Sequence, residues 1–510
     1  MDGAGVHAAC SSAASAPRSP EPPTKEAGEH GEALEAALEQ LGAFGLYHKY
    51  VLVMLCIPNL FAAMYSLNYV FVADQVPFRC AVPECEGSYG FEFENETVQA
   101  LLPEVSRCER YAPLDQHQDA STCHREDYHP SETVLCDKFV YESLETIFAE
   151  FSQRTPCKDF FGLFFYTLGY IIGLLVKIPM VELARPSLRA AFACATGVAY
   201  GMGGMLFSLI AWRTQYWRHL LWVIHSFALL LPLYWLLLPE SPRWLFVKGR
   251  ANEIVAAIKR AAKWNKVLLD EATIKRLSEL TTRQEEQKQT GNPWLRLLKS
   301  KVLMARFGVC SWCWIAVSFV YYGLTINSVS LSGDKYVNFA LNMSMEIVAS
   351  LLLMMALERF GRKWSIFLAF TVCGVACVVP YFISHSGTGM GLYFVGKLAI
   401  TFAFNSVYVF TAELFPTDAR SSALAACSLV GRVGSILAPQ TPLLSLYVQA
   451  LLYGACSALA ACAVVFMPET RRARLPMDAG DAERVRPGGG GPAAPQPPRP
   501  AAPVVHSADT

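Results

Sequence analysis

The 510-residue chain carries little charge: Asp, Glu, Lys and Arg make up 17% of it, and the two signs balance to zero. With no excess of either sign and no basic stretch interleaved with aromatics, nothing points to a nucleic-acid partner. There is no Gly-rich loop ending in Gly-Lys-Ser/Thr, which argues against direct driving by ATP. No nucleophile–base pair or metal-ligand set stands out, so the expectation is a protein that is not an enzyme and needs no cofactor. The amino-terminal residues also lack the basic start and apolar core of a cleaved leader.

What the chain has instead is apolar length. Hydrophobic residues make up 53% of it, gathered in blocks of about 20, the span of a bilayer core. Ten blocks read as membrane helices: 50–72, 160–181, 190–211, 218–238, 303–327, 337–357, 364–384, 390–411, 421–441 and 446–467. Buried helices of a large soluble enzyme rarely give so many long runs, so the fold class is an all-α polytopic membrane protein. Residues 1–49 form an aperiodic Ala/Ser/Pro/Glu segment, read as disordered, ending in an amphipathic lead-in. Its Leu34, Ala37, Leu38 and Leu41 share one face, which suits a helix lying on the membrane surface. The Pro/Gly/Ala-rich tail, 468–510, reads as disordered.

Residues 239–302 are rich in Lys and Arg, including Lys248, Arg250, Lys259, Arg260 and Lys263. The positive-inside tendency makes this segment cytosolic. An even number of spans then puts both termini in the cytosol and the 73–159 loop outside. Six cysteines lie in that loop, Cys80, Cys85, Cys108, Cys123, Cys136 and Cys157. In an oxidising compartment they are disulfide candidates, with 15 pairings open. They lack the paired short spacings of a zinc site. Asn95 opens an Asn-Glu-Thr sequon, a candidate glycosylation site, whereas Asn342-Met343-Ser344 falls inside an expected span. Cys310 and Cys313 have CxxC spacing without a second pair, and no metal or redox role is read there.

Two phrases recur. ELARPSLR (Glu182 to Arg189) is echoed by ELFPTDAR (Glu413 to Arg420), and each is followed about 55 residues later by a Pro-Glu phrase, PESPRW and PETRRA. Such regularity marks an internal repeat of two helical bundles, 50–238 and 303–467, a common plan among secondary transporters. ERFGRK (Glu358 to Lys363) occurs once. Its expected first copy would fall near Glu126, in the Cys-rich loop, and the charged stretch 133–159 cannot span a bilayer.

PESPRWL, TAELFPTDAR, GAFGLYHKY and the Cys-rich loop after the first span together resemble solute carrier family 22, its orphan branch included. These are organic ion transporters of the major facilitator superfamily. The resemblance runs from about Leu41 to Pro476. It implies a two-bundle architecture of twelve helices, so the second and third helices of the family pattern are missing from the ten visible here. It also implies a plasma-membrane location and a cytosolic charge gate built from Glu182, Arg189, Glu358, Arg359, Arg362, Glu413 and Arg420. In this reading Arg359 and Arg362 engage Glu413, while Glu182 has lost its counterpart.

Charges inside spans are the best pointers to a site, because each is costly unless it faces a partner or a cavity. Lys397 and Arg432 lie mid-span and match, by the resemblance, positions that carry cations in anion-preferring members. They suit a carboxylate or sulfate. Tyr321 and Tyr322 resemble the family's aromatic pair, and Phe404 and Tyr408 lie near the face of Lys397. Gly431 and Gly434 would allow a ligand close to the backbone beside Arg432. The competing reading pairs Lys397 with Glu346 as a structural ion pair and leaves the tyrosines as packing. His225 reads as a satisfied bundle histidine, and Gly197 and Gly201 as helix packing. The function expected is a secondary-active carrier of small organic ions, leaning to anions. The alternatives are a transporter-like receptor or scaffold binding an extracellular partner through 73–159, or an incomplete form of a twelve-helix carrier.

Overall fold

The free backbone N–H groups at a helix start need partners, and side chains supply them at the membrane helices that begin at Lys301 and Lys335. The structure is a computed structural model describing residues 36–42, 45–72, parts of 74–149, 189–227, 250–286, 299–382, 386–416 and 419–471, with a few isolated positions besides. The elements are α1 (Leu46–Leu67), β1 (Phe78–Cys80), β2 (Glu109–Pro113), β3 (Tyr128–Leu135), β4 (Phe139–Tyr141), α2 (Arg189–Thr214), α3 (Trp217–Ser226), α4 (Ala251–Asn265) and α5 (Glu271–Glu286). Then come α6 (Lys301–Asn327), α7 (Lys335–Phe360), α8 (Arg362–Val378), α9 (Ser386–Leu414), α10 (Arg420–Leu437) and α11 (Leu446–Val465). The Ser300 hydroxyl caps α6 by accepting from the Leu303 N–H at 3.2 Å. The Asp334 carboxylate caps α7 by accepting from the N–H groups of Tyr336 and Val337, both at 2.9 Å.

Seven helices among the described residues are long and apolar enough to cross a membrane. They match the expected spans that begin near 50, 190, 303, 337, 390, 421 and 446. The span expected at 364–384 is a 17-residue α-helix, α8, extended by a 3-10 turn over Val379–Phe382. The span at 160–181 lies outside the described residues, as does most of the one at 218–238, of which α3 is the visible start.

Helices α1, α2 and α3 pack together, and α6 to α11 form a second group. The seam between the groups is dominated by α2 against α7. Its closeness has a cause in sequence: a Cβ on Gly201 would lie 2.8 Å from Ile347 and 3.1 Å from Glu346, and one on Gly197 would strike Ser350. The expectation that these glycines serve packing is met.

The described part of the 73–159 loop holds two antiparallel two-stranded sheets, β1–β4 and β2–β3, and among the described residues every strand lies between spans. Cys80 and Cys136 are joined, with Cα atoms 5.7 Å apart, where β1 meets β4. Cys85 is also in a disulfide. Cys108, Cys123, Cys157 and Asn95 lie outside the described residues.

One expectation fails. The apolar face of the lead-in is not spread on a membrane surface: Leu34, Ala37, Leu38 and Leu41 are buried in a cluster with Ile254, Ile258 and Leu277 of α4 and α5. Asn265, the last residue of α4, fixes the arrangement. It donates to the Leu41 carbonyl at 2.8 Å and accepts from the Tyr47 N–H at 2.8 Å, so one amide holds both the lead-in and the start of α1. Sequence periodicity shows that a face is apolar but not what covers it.

Candidate functional site

The mid-span charges meet. Lys397 on α9 is fully buried, and its Nζ lies 3.5 Å from Oε1 of Glu346 on α7. The same ammonium donates to Thr325 Oγ1 at 2.8 Å and sits 3.3 Å from the centroid of the Tyr321 ring. Thr401, one turn beyond Lys397, donates to Glu346 Oε1 at 3.2 Å, and Tyr321 lies beside the same carboxylate. The competing expectation of a Lys397–Glu346 pair is therefore what the geometry contains. Hydrogen bonds on both partners and a ring face under the cation are what such a pair requires in a low-dielectric interior.

From Tyr321 an aromatic wall continues. Its ring lies 5.3 Å from Phe404, Phe404 lies 5.7 Å from Tyr408, and Trp314 packs edge-on to Tyr408 at 4.3 Å. Trp314 is itself oriented by an indole N–H bond to Thr411 Oγ1 at 3.1 Å. Tyr408 also engages Ser428, and Arg432, half-buried one turn along α10, donates to the Ser428 hydroxyl at 3.1 Å. Lys397, Tyr321, Phe404, Tyr408 and Arg432 thus form one continuous chain of contacts. Tyr322 is buried beside Tyr321, with ring centroids 5.1 Å apart.

Across the seam the chain reaches the first group of helices. Tyr200 on α2 shares a hydrogen bond of 2.8 Å with Ser66 on α1 and interacts with Tyr321 and Glu346. Gly431 and Gly434 do not open the backbone to a ligand, as the sequence suggested. A Cβ on Gly431 would lie 3.1 Å from Trp314, and one on Gly434 would strike the Ile315 carbonyl and lie 2.8 Å from the Phe319 N–H. They bring α10 against α6. His225 is exposed rather than enclosed, with its Nδ1 2.9 Å from the Leu221 carbonyl of its own helix.

A second constellation lies at one end of the second group. Arg362 reaches Glu413 with Nε at 3.1 and 3.2 Å and Nη2 at 3.1 Å, and Thr470 donates to Glu413 at 2.6 Å. The planar fork of arginine suits this bidentate contact. Arg359 is exposed and is not among Glu413's partners. Arg420 opens α10, half-buried, and Glu358 stands on the last turn of α7. Arg189 opens α2, while Glu182 lies outside the described residues.

Sequence reasoning missed Glu469 in this second constellation. Its carboxylate accepts from the N–H groups of Arg362 at 2.9 Å, Lys363 at 3.1 Å and Arg471 at 2.9 Å, so it caps the start of α8 from the end of α11. Gly361, between α7 and α8, has φ of +89°, and a Cβ there would lie 2.7 Å from the Glu469 carboxylate. Glycine is needed twice over, for the backbone and for the space. The recurrence of Pro-Glu after the last span was the available signal.

The family model described as "Sugar (and other) transporter" matches residues 168–476. The chain belongs to that family. Its resemblance to solute carrier family 22 also stands among the relatives of this transporter. An organic cation transporter protein of Drosophila melanogaster is 28% identical over 88% of this chain and 94% of its own length. Solute carrier family 22 member 15 of Xenopus tropicalis is 31% identical over 66% of this chain and 64% of its own. Among solved structures, the major facilitator superfamily proton:xylose symporter XylE aligns over 88% of this chain and 93% of its own, with 14% identity and a TM-score of 0.47. The chain is thus a multi-pass membrane protein of a transporter family.

Proposed function

We propose that this transporter is a secondary carrier of small organic anions at the plasma membrane, working by alternating access with both termini in the cytosol. The observation that carries the reading is a charge count. Among the described spans, three charges lie more than two turns from either end: Glu346, Lys397 and Arg432. Two of the three are cations and all lie along a single chain of contacts, which suits the anionic group of a substrate. The aromatic wall of Tyr321, Phe404, Tyr408 and Trp314, running beside both cations, suits an apolar or ring-bearing body. The Drosophila relative is named for cations, so anion preference is the finer claim and the one tested.

Arg362, Glu413, Thr470 and Glu469 form a charge cluster at the cytosolic end, holding α8, α9 and the end of α11 together as one body while the bundles rock. A second reading, a surface protein that binds a partner through the 73–159 loop, is favoured by one observation, that loop's strand-built, disulfide-closed fold.

The test is uptake of labelled benzenesulfonate and labelled tetramethylammonium by cells displaying the chain, normalised to surface copies. Saturable benzenesulfonate uptake that falls at least tenfold in Arg432→Ala, at unchanged surface level, supports the carrier. Preference for tetramethylammonium overturns the anion reading. Transport of neither, with binding of an extracellular protein lost on reduction of the loop, favours the second reading.

A further inference from the structure

Glu346 is not alone on its helix. Asn338, Asn342, Glu346 and Ser350 recur every four residues along α7, so they form one polar file on a helix whose centre is otherwise apolar but for the half-buried Ser344. All four are buried, Asn342 to 0% exposure. Asn338 is anchored at the α7 start by bonds to the carbonyls of Leu331 at 3.1 Å and Ser332 at 3.3 Å. Asn342, one turn before Glu346, has neither its amide N–H nor its carbonyl hydrogen-bonded among the described residues, and the Ser350 hydroxyl, one turn after, is likewise unbonded. An uncompensated amide in a membrane interior is expensive to keep, and intramembrane polar groups of this kind mark ion or proton pathways. The file faces the seam: Gly197 and Gly201 of α2 lie against Ser350 and Glu346. A group held there is shielded from lipid and touched by both helical groups.

A charge argument gives the file a purpose. Lys397 cannot offer its charge to a substrate anion while Glu346 holds it, because a second anion beside an ionised Glu346 would leave the pair site net negative in low dielectric. Protonating Glu346 removes that obstacle. The titratable groups turned toward it are Lys397 from α9, Tyr321 from α6 and Tyr200 from α2, with Cys373 of α8 behind Lys397 and Tyr69 and Tyr408 behind the tyrosines. Glu346 carries the one carboxyl group among them.

We propose that Glu346 is a proton-binding site and that one proton crosses with each anion carried. This rests on the anion-carrier reading above. The proton adds to the Glu346 carboxylate, its ion pair with Lys397 breaks, and the Lys397 ammonium, which keeps its own proton throughout, takes the substrate's anionic group. On the far side the anion leaves, the carboxyl returns its proton to water, and the pair re-forms. The pair site is neutral in both the loaded and the empty form, so either can cross.

The experiment uses the full chain in proteoliposomes with benzenesulfonate, which stays ionised at every pH used and so cannot bring a proton itself. With one proton per anion, an inward gradient of one pH unit supports accumulation of up to about tenfold, indifferent to an imposed membrane potential, and a pH dye trapped inside reports acidification in step with uptake. Glu346→Gln leaves Lys397 unpaired in the empty form, so it should lose net pH-driven uptake and acidification while still exchanging internal for external benzenesulfonate. Uptake by the wild type without acidification overturns the coupling and leaves the carrier reading standing. No uptake overturns the carrier reading and the coupling with it. Acidification that persists in Glu346→Gln places the proton elsewhere and overturns the assignment. If Glu346→Gln does not fold, the wild-type dye signal decides the coupling alone.

Discussion

Replacing Glu469 with alanine should loosen the joint between α7 and α8. The carboxylate accepts from the first two N–H groups of α8, at 2.9 and 3.1 Å, and from Arg471 at 2.9 Å. Hydrogen bonds to a charged acceptor contribute about 1.5–3 kcal/mol each when buried. Glu469 is half-buried and water can reach the freed groups, so about 1 kcal/mol for each of the two helix-start bonds is the fairer figure, in line with helix-cap deletions. The sum is about 2 kcal/mol, lowering the melting temperature of the second helical group by about 5 °C. Glu469→Gln keeps one acceptor oxygen and loses the charge, so it should fall about halfway between. The assay is thermal unfolding of purified protein in detergent, followed by loss of the monodisperse peak. Equal melting temperatures for all three proteins would show that water caps α8 as well as Glu469 does.

Gly434→Val should be more damaging, because its Cβ would strike the Ile315 backbone carbonyl rather than a movable side chain. A loss of about 3 kcal/mol or more is expected from such overpacking, read as failure to reach the surface or a collapsed melting curve. Asn265→Ala removes the bonds that hold both Leu41 and Tyr47. About 2 kcal/mol of local stability should go, and amide hydrogen exchange should rise over 36–50 while 301–471 stays protected.

How much of this was legible depended on the kind of signal. The spans were readable because length and apolarity are properties of the chain itself, whereas Arg362 beside Glu413 was legible only through the family resemblance, which also put Arg359 there. The cap by Glu469 was not, because a helix start satisfied from about 107 residues away leaves no local pattern. Nor was the polar file read: Asn338, Asn342, Glu346 and Ser350 have helical spacing, but averaging over a span hides four polar residues among apolar ones. The covering of the lead-in shows the limit from the other side. An apolar stripe fits a bilayer surface and a protein groove equally well, and only the placement of Ile254, Ile258 and Leu277 distinguishes them.

The clamp at Cys80 and Cys136 has a consequence for how the outer loop can vary. Because β1 and β4 meet there in register, Phe78 opposite Tyr141, the chain leaves and returns at one point. The described residues between, β2 and β3 included, hang from that root as a pendant. Its length can change without altering the distance between the points where it is attached, so the pendant is free to lengthen or accept an inserted epitope while the helices beneath keep their spacing.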